Sequence, residues 1–196
     1  MKKKSGYFIV LLLALAAMNY TSCKKKEAQE DYSDVKGNYF SIYQYGLDAW
    51  NNFSGPPFVI IKTVRIDEGK TDSSYTNSDT ISWAPIFNTF FATDISDRKF
   101  LGQYKFNQFD DEQDNTHNFF YMAKDPDLYT QKLLITIDRE TTKVRGIYIE
   151  TFEKTTLKEI VKKLYYAPLK TIQIQTYTKP LWSKQTHKVE QWDFMM

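Results

Sequence analysis

Apolar and polar residues alternate along most of the chain after Lys99, and this period of two is typical of β-strands whose two faces meet different surroundings. Tyr, Phe, Ile and Thr, which favour strands, are frequent in these segments. Short polar turns separate the segments, so we expect consecutive strands to pair antiparallel. The predicted strands are 101–109, 116–123, 133–137, 144–152, 162–167, 171–178 and 188–194, and the last two form a final hairpin.

Two amphipathic helices are predicted in the half of the chain before this run. The first has an apolar stripe at three- and four-residue spacing, made by Phe40, Tyr43, Leu47 and Trp50. Asn38 is its expected N-cap, and Gly55-Pro56-Pro57 ends it. A strand at 58–66 and a short edge strand within 71–80 are predicted next, followed by the second helix at 82–93.

Residues 156–163 fit both a helix and a strand. The sequence Thr156-Leu157-Lys158-Glu159 matches a helical capping box, and the apolar residues after it have helical spacing. The two tyrosines before Pro168 favour a strand, and strands are predicted on both sides. We therefore expect a strand over 162–167 and leave the segment before it open.

The N-terminus has the features of a secretory signal. Lys2, Lys3 and Lys4 precede an apolar run over 7–18, and small residues lead to Cys23, the single cysteine of the chain. The run is shorter than the roughly 20 apolar residues that a spanning helix needs. The segment resembles the signal and lipobox of Bacteroidota-type bacterial lipoproteins, which implies cleavage after residue 22 and lipidation of Cys23. Cleavage without lipidation is the alternative.

The resemblance implies an outer-membrane lipoprotein held by acyl chains such as palmitate on Cys23, with the membrane as its first partner. Lipidation consumes the only thiol, which excludes a disulfide and thiol catalysis within the chain. Residues 23–36 are highly charged and are expected to form a disordered tether. Their acidic residues fit a solvated linker or a surface-export address, so the side of the membrane that the domain faces stays open.

Residues 37–196 are expected to form one domain of α+β class. We predict a mainly antiparallel, curved β-meander with the two helices packed on it, because helices precede a run of strands joined by short turns. The order and size of these elements resemble the periplasmic lipoprotein carriers. That resemblance implies an apolar cup for lipid between a half-barrel sheet and its covering helices.

Charge and motifs narrow the classes of function. The chain has 26 basic and 24 acidic residues, and loss of the three signal lysines leaves 23 against 24, so nucleic-acid binding is not expected. His117 and His187 have neither a second histidine nor a cysteine at metal-ligand spacing. Nucleophile-elbow, phosphate-loop and dinucleotide motifs are missing from the sequence. We therefore expect no cofactor, and a binding protein rather than an enzyme.

Two weak candidate sites remain in the sequence. Asp110, Asp111 and Asp114 lie close together around a predicted turn and could bind calcium, although the spacing lacks the alternating pattern and glycine of a calcium loop. A solvated hairpin turn is the favoured interpretation. Trp182 follows Pro180 in a predicted loop and is the tryptophan most readily expected to be exposed. Trp50 and Trp83 are expected in the core.

The sequence thus leaves two classes of function. The first is an envelope lipoprotein that binds an apolar ligand or a partner protein, and the second is a surface-displayed module that binds glycan or another nutrient. Aromatic residues occur on both parities of one predicted strand, with Tyr104 and Phe106 on one and Phe109 on the other. We therefore expect that neither sheet face is purely polar, and that the second face is covered or available to a ligand.

Overall fold

Strand alternation in the C-terminal part produces a meander in which each strand pairs antiparallel with the next. The structure is a computed structural model that describes residues 39–52, 57–69 and 71–195, with the backbone alone at 50–52. The helices are α1 (Ile42–Asn52) and α2 (Trp83–Phe91), and the strands are β1 (Val59–Ile66), β2 (Asp72–Asn77), β3 (Tyr104–Asp111), β4 (Thr116–Ala123), β5 (Thr130–Asp138), β6 (Val144–Lys154), β7 (Lys158–Ala167), β8 (Thr171–Pro180) and β9 (Thr186–Met195). The predicted α+β class, with a curved antiparallel sheet and two helices, is confirmed.

The sheet has nine strands, and its N-terminal hairpin extends the meander at the β9 edge. The strand order is β2-β1-β9-β8-β7-β6-β5-β4-β3. β1 pairs antiparallel with β9 over its whole length, from Val59 opposite Met195 to Ile66 opposite Lys188. The β1–β2 hairpin and the last strand, β9, therefore belong to one sheet, and β2 forms the edge strand predicted within 71–80.

Most of the segment 156–163, which fits both a helix and a strand in the sequence, belongs to β7, because β7 begins at Lys158. Hydrogen bonds with β6 on one side and β8 on the other account for its backbone groups. The backbone N–H groups of Leu157 and Lys158 both donate to Thr155 Oγ1, at 3.3 and 3.2 Å. Thr155 thus caps a tight β6–β7 turn, and the four-residue capping-box pattern at 156–159 does not begin a helix.

The core lies between the sheet and the helices. Leu133, Ile149 and Leu164 point towards the helices from adjacent strands and have no exposed surface. From α2, the ring of Trp83 stacks on Phe194 with a centroid distance of 6.0 Å. Full burial of a leucine, isoleucine or phenylalanine side chain contributes about 1.5–3 kcal/mol to the free energy of unfolding. The prediction that Trp83 packs in the core is confirmed, whereas Trp50 lies outside the described side chains.

The start of α1 is stabilised by a carboxylate from the segment after α2. Asp94 Oδ2 accepts hydrogen bonds from Ser41 Oγ at 2.8 Å and from the backbone N–H of Tyr43 at 2.6 Å. Its Oδ1 accepts from the Ser96 N–H at 2.7 Å. Burial alone would raise the pKa of Asp94, but these hydrogen bonds outweigh it and hold the pKa below its usual value. The predicted N-cap, Asn38, lies outside the described residues.

Asp94→Asn is expected to lower the free energy of unfolding at pH 7 by about 1–2 kcal/mol, because charge-assisted hydrogen bonds at a partly exposed site are lost. The folded pKa lies below the unfolded value of about 3.9, so this stability is present above about pH 4 and disappears as pH falls through the folded pKa. Urea unfolding at pH 7 and pH 3 should show a smaller difference at pH 3. Asp72→Asn, at an exposed position of β2, is the control, and an equal loss there would mean that the hydrogen bonds of Asp94 do not stabilise the start of α1.

Neither of the described helices is long and apolar enough to cross a membrane.

Candidate functional site

The sheet has one face packed against the helices and one face on which no helix of the described chain packs. We name the second the open face and define it by two rows of residues that lie side by side on β5 to β9. The first row is Leu134, Tyr148, Tyr165, Gln173 and Gln191, and the second is Lys132, Glu150, Lys163, Gln175 and Val189. All but Tyr165, which is exposed, and Val189, which is buried, have intermediate exposure.

A chain of side-chain hydrogen bonds crosses the open face from Tyr177 to Asp193. The Tyr177 hydroxyl donates to Gln175 Oε1 at 3.0 Å, and the Gln175 amide donates to Gln173 at 2.8 Å. Gln173 Nε2 donates to Gln191 Oε1 at 2.8 Å, and Gln191 Nε2 donates to the carboxylate of Asp193 at 2.8 and 2.9 Å. We name these five residues the amide row. Every bond runs in the same direction, so the row holds its amide groups in fixed orientations.

The amide row ends at an aromatic stack. The rings of Tyr177 and His187 lie 4.1 Å apart and nearly parallel, at 5°. Lys163 Nζ lies 5.7 Å from the centroid of the Tyr177 ring, within cation–π range. His187 Nε2 is buried and has no hydrogen-bond partner among the described residues. The main chain of His187 exchanges hydrogen bonds with Asp67, which joins the stack to the end of β1.

A charged cluster lies beside the amide row on the same face. Lys132 Nζ is 3.0 Å from Glu150 Oε2, and the Tyr148 hydroxyl donates to Glu150 Oε1 at 2.7 Å. Burial would raise the pKa of Glu150, but the bonds from Tyr148 and Lys132 hold it below its usual value. Burial and the neighbouring carboxylate raise the pKa of Tyr148. Glu150 is therefore an anion and Tyr148 a neutral donor at neutral pH.

Tyr165 is the most exposed aromatic residue of the two rows, with 39% of its surface accessible. The hydroxyl end of its ring reaches the neighbouring strand and lies 3.4 Å from the position that a Cβ atom on Gly146 would occupy. Because Gly146 has no side chain there, the ring can extend along the sheet instead of standing away from it. Aromatic surface next to oriented amides suits both protein contacts and the stacking of a sugar ring.

An open groove of about 1100 Å³ lies at the edge of this region, between the ends of β1 and β9. Charged and polar side chains dominate its lining, with Arg65, Asp67, Glu68, Lys184 and His187 among them. The groove extends the polar character of the open face and is not the apolar cup that the resemblance to lipoprotein carriers implies.

Of the acidic residues singled out in the sequence, Asp110 and Asp111 use their carboxylates in separate contacts, and Asp114 contributes its backbone groups. Asp110 lies in β3 and pairs with His117 of β4 and, at 3.7 Å, with Arg139. Asp111 Oδ1 accepts the backbone N–H groups of Gln113 and Asp114, at 3.0 and 3.2 Å, and so closes the β3–β4 turn. Among the described residues, no group of three or more His, Cys, Asp or Glu side chains could hold a metal ion.

The structure places Trp182 and Trp83 as the sequence predicts. Trp182 lies in the β8–β9 turn and is 87% exposed, whereas Trp83 and Trp192 are buried. Phe109 is exposed on the face opposite Tyr104, which agrees with the expectation that neither face is purely polar. Cys23 lies outside the described residues.

The amide row and the Tyr165 surface were not predicted from the sequence. Gln173 and Gln175 alternate with Ile172 and Ile174, which marks them as one face of a strand but not as part of a network. The network depends on the register that places Gln191 opposite Gln173. Comparison with known protein families, with curated proteins and with solved structures finds no significant match for this chain.

Proposed function

We propose that this chain is a non-catalytic envelope lipoprotein, anchored to the outer membrane through Cys23, whose domain binds a partner protein through the open face. The observation that carries the proposal is the amide row, whose hydrogen bonds run in one direction to Asp193 on an uncovered sheet face. Ordered polar groups beside aromatic surface are typical of protein interfaces. The anchor rests on the signal and lipobox in the sequence.

An apolar ligand is the less supported occupant. Between sheet and helices, the described aromatic side chains contact one another in one continuous cluster, in which Phe90 packs against Tyr166 and Tyr39 against Tyr104 and Tyr121. A ligand in that space would have to separate these contacts. The open face requires no such rearrangement, so it is the better place for a partner.

A glycan is the second candidate, and Tyr165 is the observation that favours it. Its ring extends over Gly146 of β6, and Gln173, whose amide has a fixed orientation, is its cross-strand partner on β8. A sugar needs an apolar ring to stack on and amide or carboxylate groups for its hydroxyls. In this second reading the domain is a surface-displayed glycan-binding module.

Tyr165→Ala tests both candidates, and Tyr43→Ala is its matched control. Tyr43 is a tyrosine of α1 that is 51% exposed on the other side of the sheet. We expect Tyr165→Ala to reduce recovery of a co-purifying envelope protein by about tenfold or more. Loss of an aromatic side chain at the centre of an interface weakens the binding free energy by about 1.4 kcal/mol or more, which is a tenfold change in affinity. Tyr43→Ala should leave that recovery unchanged.

Binding to immobilised envelope polysaccharide, measured with the same two variants, separates the candidates. Loss of polysaccharide binding only in Tyr165→Ala, with no protein recovered, would replace the partner-protein proposal by the glycan module. If both variants retain wild-type binding to protein and polysaccharide, Tyr165 takes no part in recognition and the proposed site is wrong.

A further inference from the structure

Two neighbouring turns present large apolar side chains to solvent at one end of the sheet. Leu157 in the β6–β7 turn is 67% exposed, and Leu181 and Trp182 in the β8–β9 turn are 62% and 87% exposed. The backbone N–H of Leu181 donates to the Leu157 carbonyl at 2.9 Å, which ties the two turns together. We name these three residues the apolar tip.

The apolar tip is held by its own turns. The Thr155 Oγ1 atom accepts the N–H groups of Leu157 and Lys158 and donates to the Lys158 carbonyl at 3.1 Å. Lys154 and Lys179 both pair with Glu159, at 3.2 and 3.4 Å, just behind the turns. The two exposed leucines therefore lie in turns whose backbone is fixed by hydrogen bonds and ion pairs, and this fixed backbone keeps their side chains exposed.

Lysines surround the apolar tip. Lys154, Lys158 and Lys179 are exposed beside Glu153 and Glu159, and Lys184 is exposed in the groove that also contains Arg65, Asp67 and Glu68. Exposed Leu and Trp with a rim of lysine match the chemistry of an anionic bilayer surface, where Trp occupies the interface and lysine meets the headgroups.

The described chain also begins towards this end of the sheet. Tyr39, its first residue, accepts a hydrogen bond through its hydroxyl from the Gly102 N–H at 3.1 Å, just before β3. In an antiparallel sheet the start of β3 and the β8–β9 turn lie at the same end, roughly 24 Å apart across five strands. Residues 23–38 can span at most about 55 Å. An anchor on Cys23 is therefore long enough for the tip to reach the same membrane.

We infer that the apolar tip, Leu157, Leu181 and Trp182, inserts into an anionic lipid bilayer and orients the domain on the membrane. The inference rests on the proposed anchor, which supplies proximity, and adds a second contact that acyl chains alone do not make. A lipid anchor by itself leaves a domain free to rotate on its tether. An inserted tip holds one end of the sheet at the membrane, so the strands stand away from the bilayer and the open face points parallel to its surface.

The test uses the full lipidated protein in phosphatidylethanolamine–phosphatidylglycerol vesicles, with the fluorophore NBD on one introduced cysteine. Trp182→Cys places it at the tip. Leu169→Cys places it in the β7–β8 turn at the opposite end, where Leu169 is also an exposed leucine. We expect the emission at position 182 to shift to the blue and to be quenched by nitroxide-labelled lipid, and the emission at 169 to remain aqueous. Lys158→Gln and Lys184→Gln should each lower the ratio of inserted to free tip about fivefold at low salt.

Equal, unquenched emission at positions 182 and 169 would overturn the inference. A blue shift without nitroxide quenching that grows with protein density would also overturn it, because a second copy would then cover the tip. Labelling of the chain without an introduced cysteine distinguishes failure of the anchor from failure of the tip, because NBD reacts with Cys23 only if no lipid is attached to it. In that event the same comparison in a Cys23→Ser background still decides whether the tip inserts.

Discussion

Cys23→Ala is expected to abolish the incorporation of labelled fatty acid, because the chain has no other cysteine to carry a thioether-linked lipid. The resemblance to bacterial lipoproteins implies three acyl chains, each buried methylene contributing about 0.8 kcal/mol. Such a protein should enter the detergent phase on phase separation. The mature chain without Cys23 should stay in the aqueous phase.

Ser22→Ala is the control for this experiment, since alanine is also a small residue at the cleavage site and leaves the cysteine in place. It should be labelled as strongly as the wild type. A wild-type chain that takes up no fatty acid would contradict the anchor and favour a signal that is cleaved without lipidation.

Leu133→Ala is expected to lower the free energy of unfolding by about 3–4 kcal/mol, whereas Leu134→Ala should cost about 1 kcal/mol. The two leucines are neighbours in β5 but point to opposite faces. Leu133 has no exposed surface and contacts the core, while Leu134 has intermediate exposure on the open face. Deleting Leu133 leaves a cavity that the helices cannot fill, and deleting Leu134 removes surface that water already reaches.

Urea unfolding of the two variants at pH 7 measures the difference between the faces. The slope of the free energy against urea should be unchanged, so that the midpoint reports stability. Equal losses for the two leucines would mean that the open face is covered in the folded protein, which would contradict its role as a binding surface.

Local patterns in the sequence predict the strands and helices well, because burial on one face leaves a period in the chain. The strand at 116–123 has the bounds that its alternation predicts, and α2 lies within the predicted 82–93. The segment at 156–163 could not be decided locally, since its residues satisfy a capping box as well as a strand. Pairing with β6 and β8 decides it, and that pairing is a property of the sheet.

Contacts between distant segments could not be predicted from local pattern. The Asp94 carboxylate follows α2, yet it accepts the N–H of Tyr43 at the start of α1. β1 lies far from β9 in sequence and pairs with it along its whole length. In neither pair do the residues of one segment indicate which distant segment it contacts.

In the candidate site, too, local features were predicted from the sequence and features that depend on strand pairing were not. Trp182 is exposed as predicted, because a proline-bounded loop is a local feature. The amide row arises from register, since shifting β9 by one residue would turn Gln191 towards the core. The carboxylates of Asp110 and Asp111 are adjacent in sequence but have different partners, since Asp110 pairs with His117 and Asp111 accepts backbone N–H groups of its own turn, and only the fold shows this.

Cross-linking from single positions in intact cells tests most directly whether the open face is the binding surface. A benzophenone on Lys163→Cys would face outward from the second row of the open face. The same group on Gln44→Cys, an exposed position of α1, would face away from it. In each variant the introduced cysteine is the only free thiol if Cys23 carries lipid, so the benzophenone reagent labels that position alone.

A partner bound to the open face should give a cross-linked adduct of one defined mass from position 163, and none of that mass from position 44. The adduct should disappear in the Tyr165→Ala background, because Tyr165 lies two residues away on the same strand and face. An adduct of the same mass from both positions, or one from position 44 alone, would contradict the open face as the site of binding.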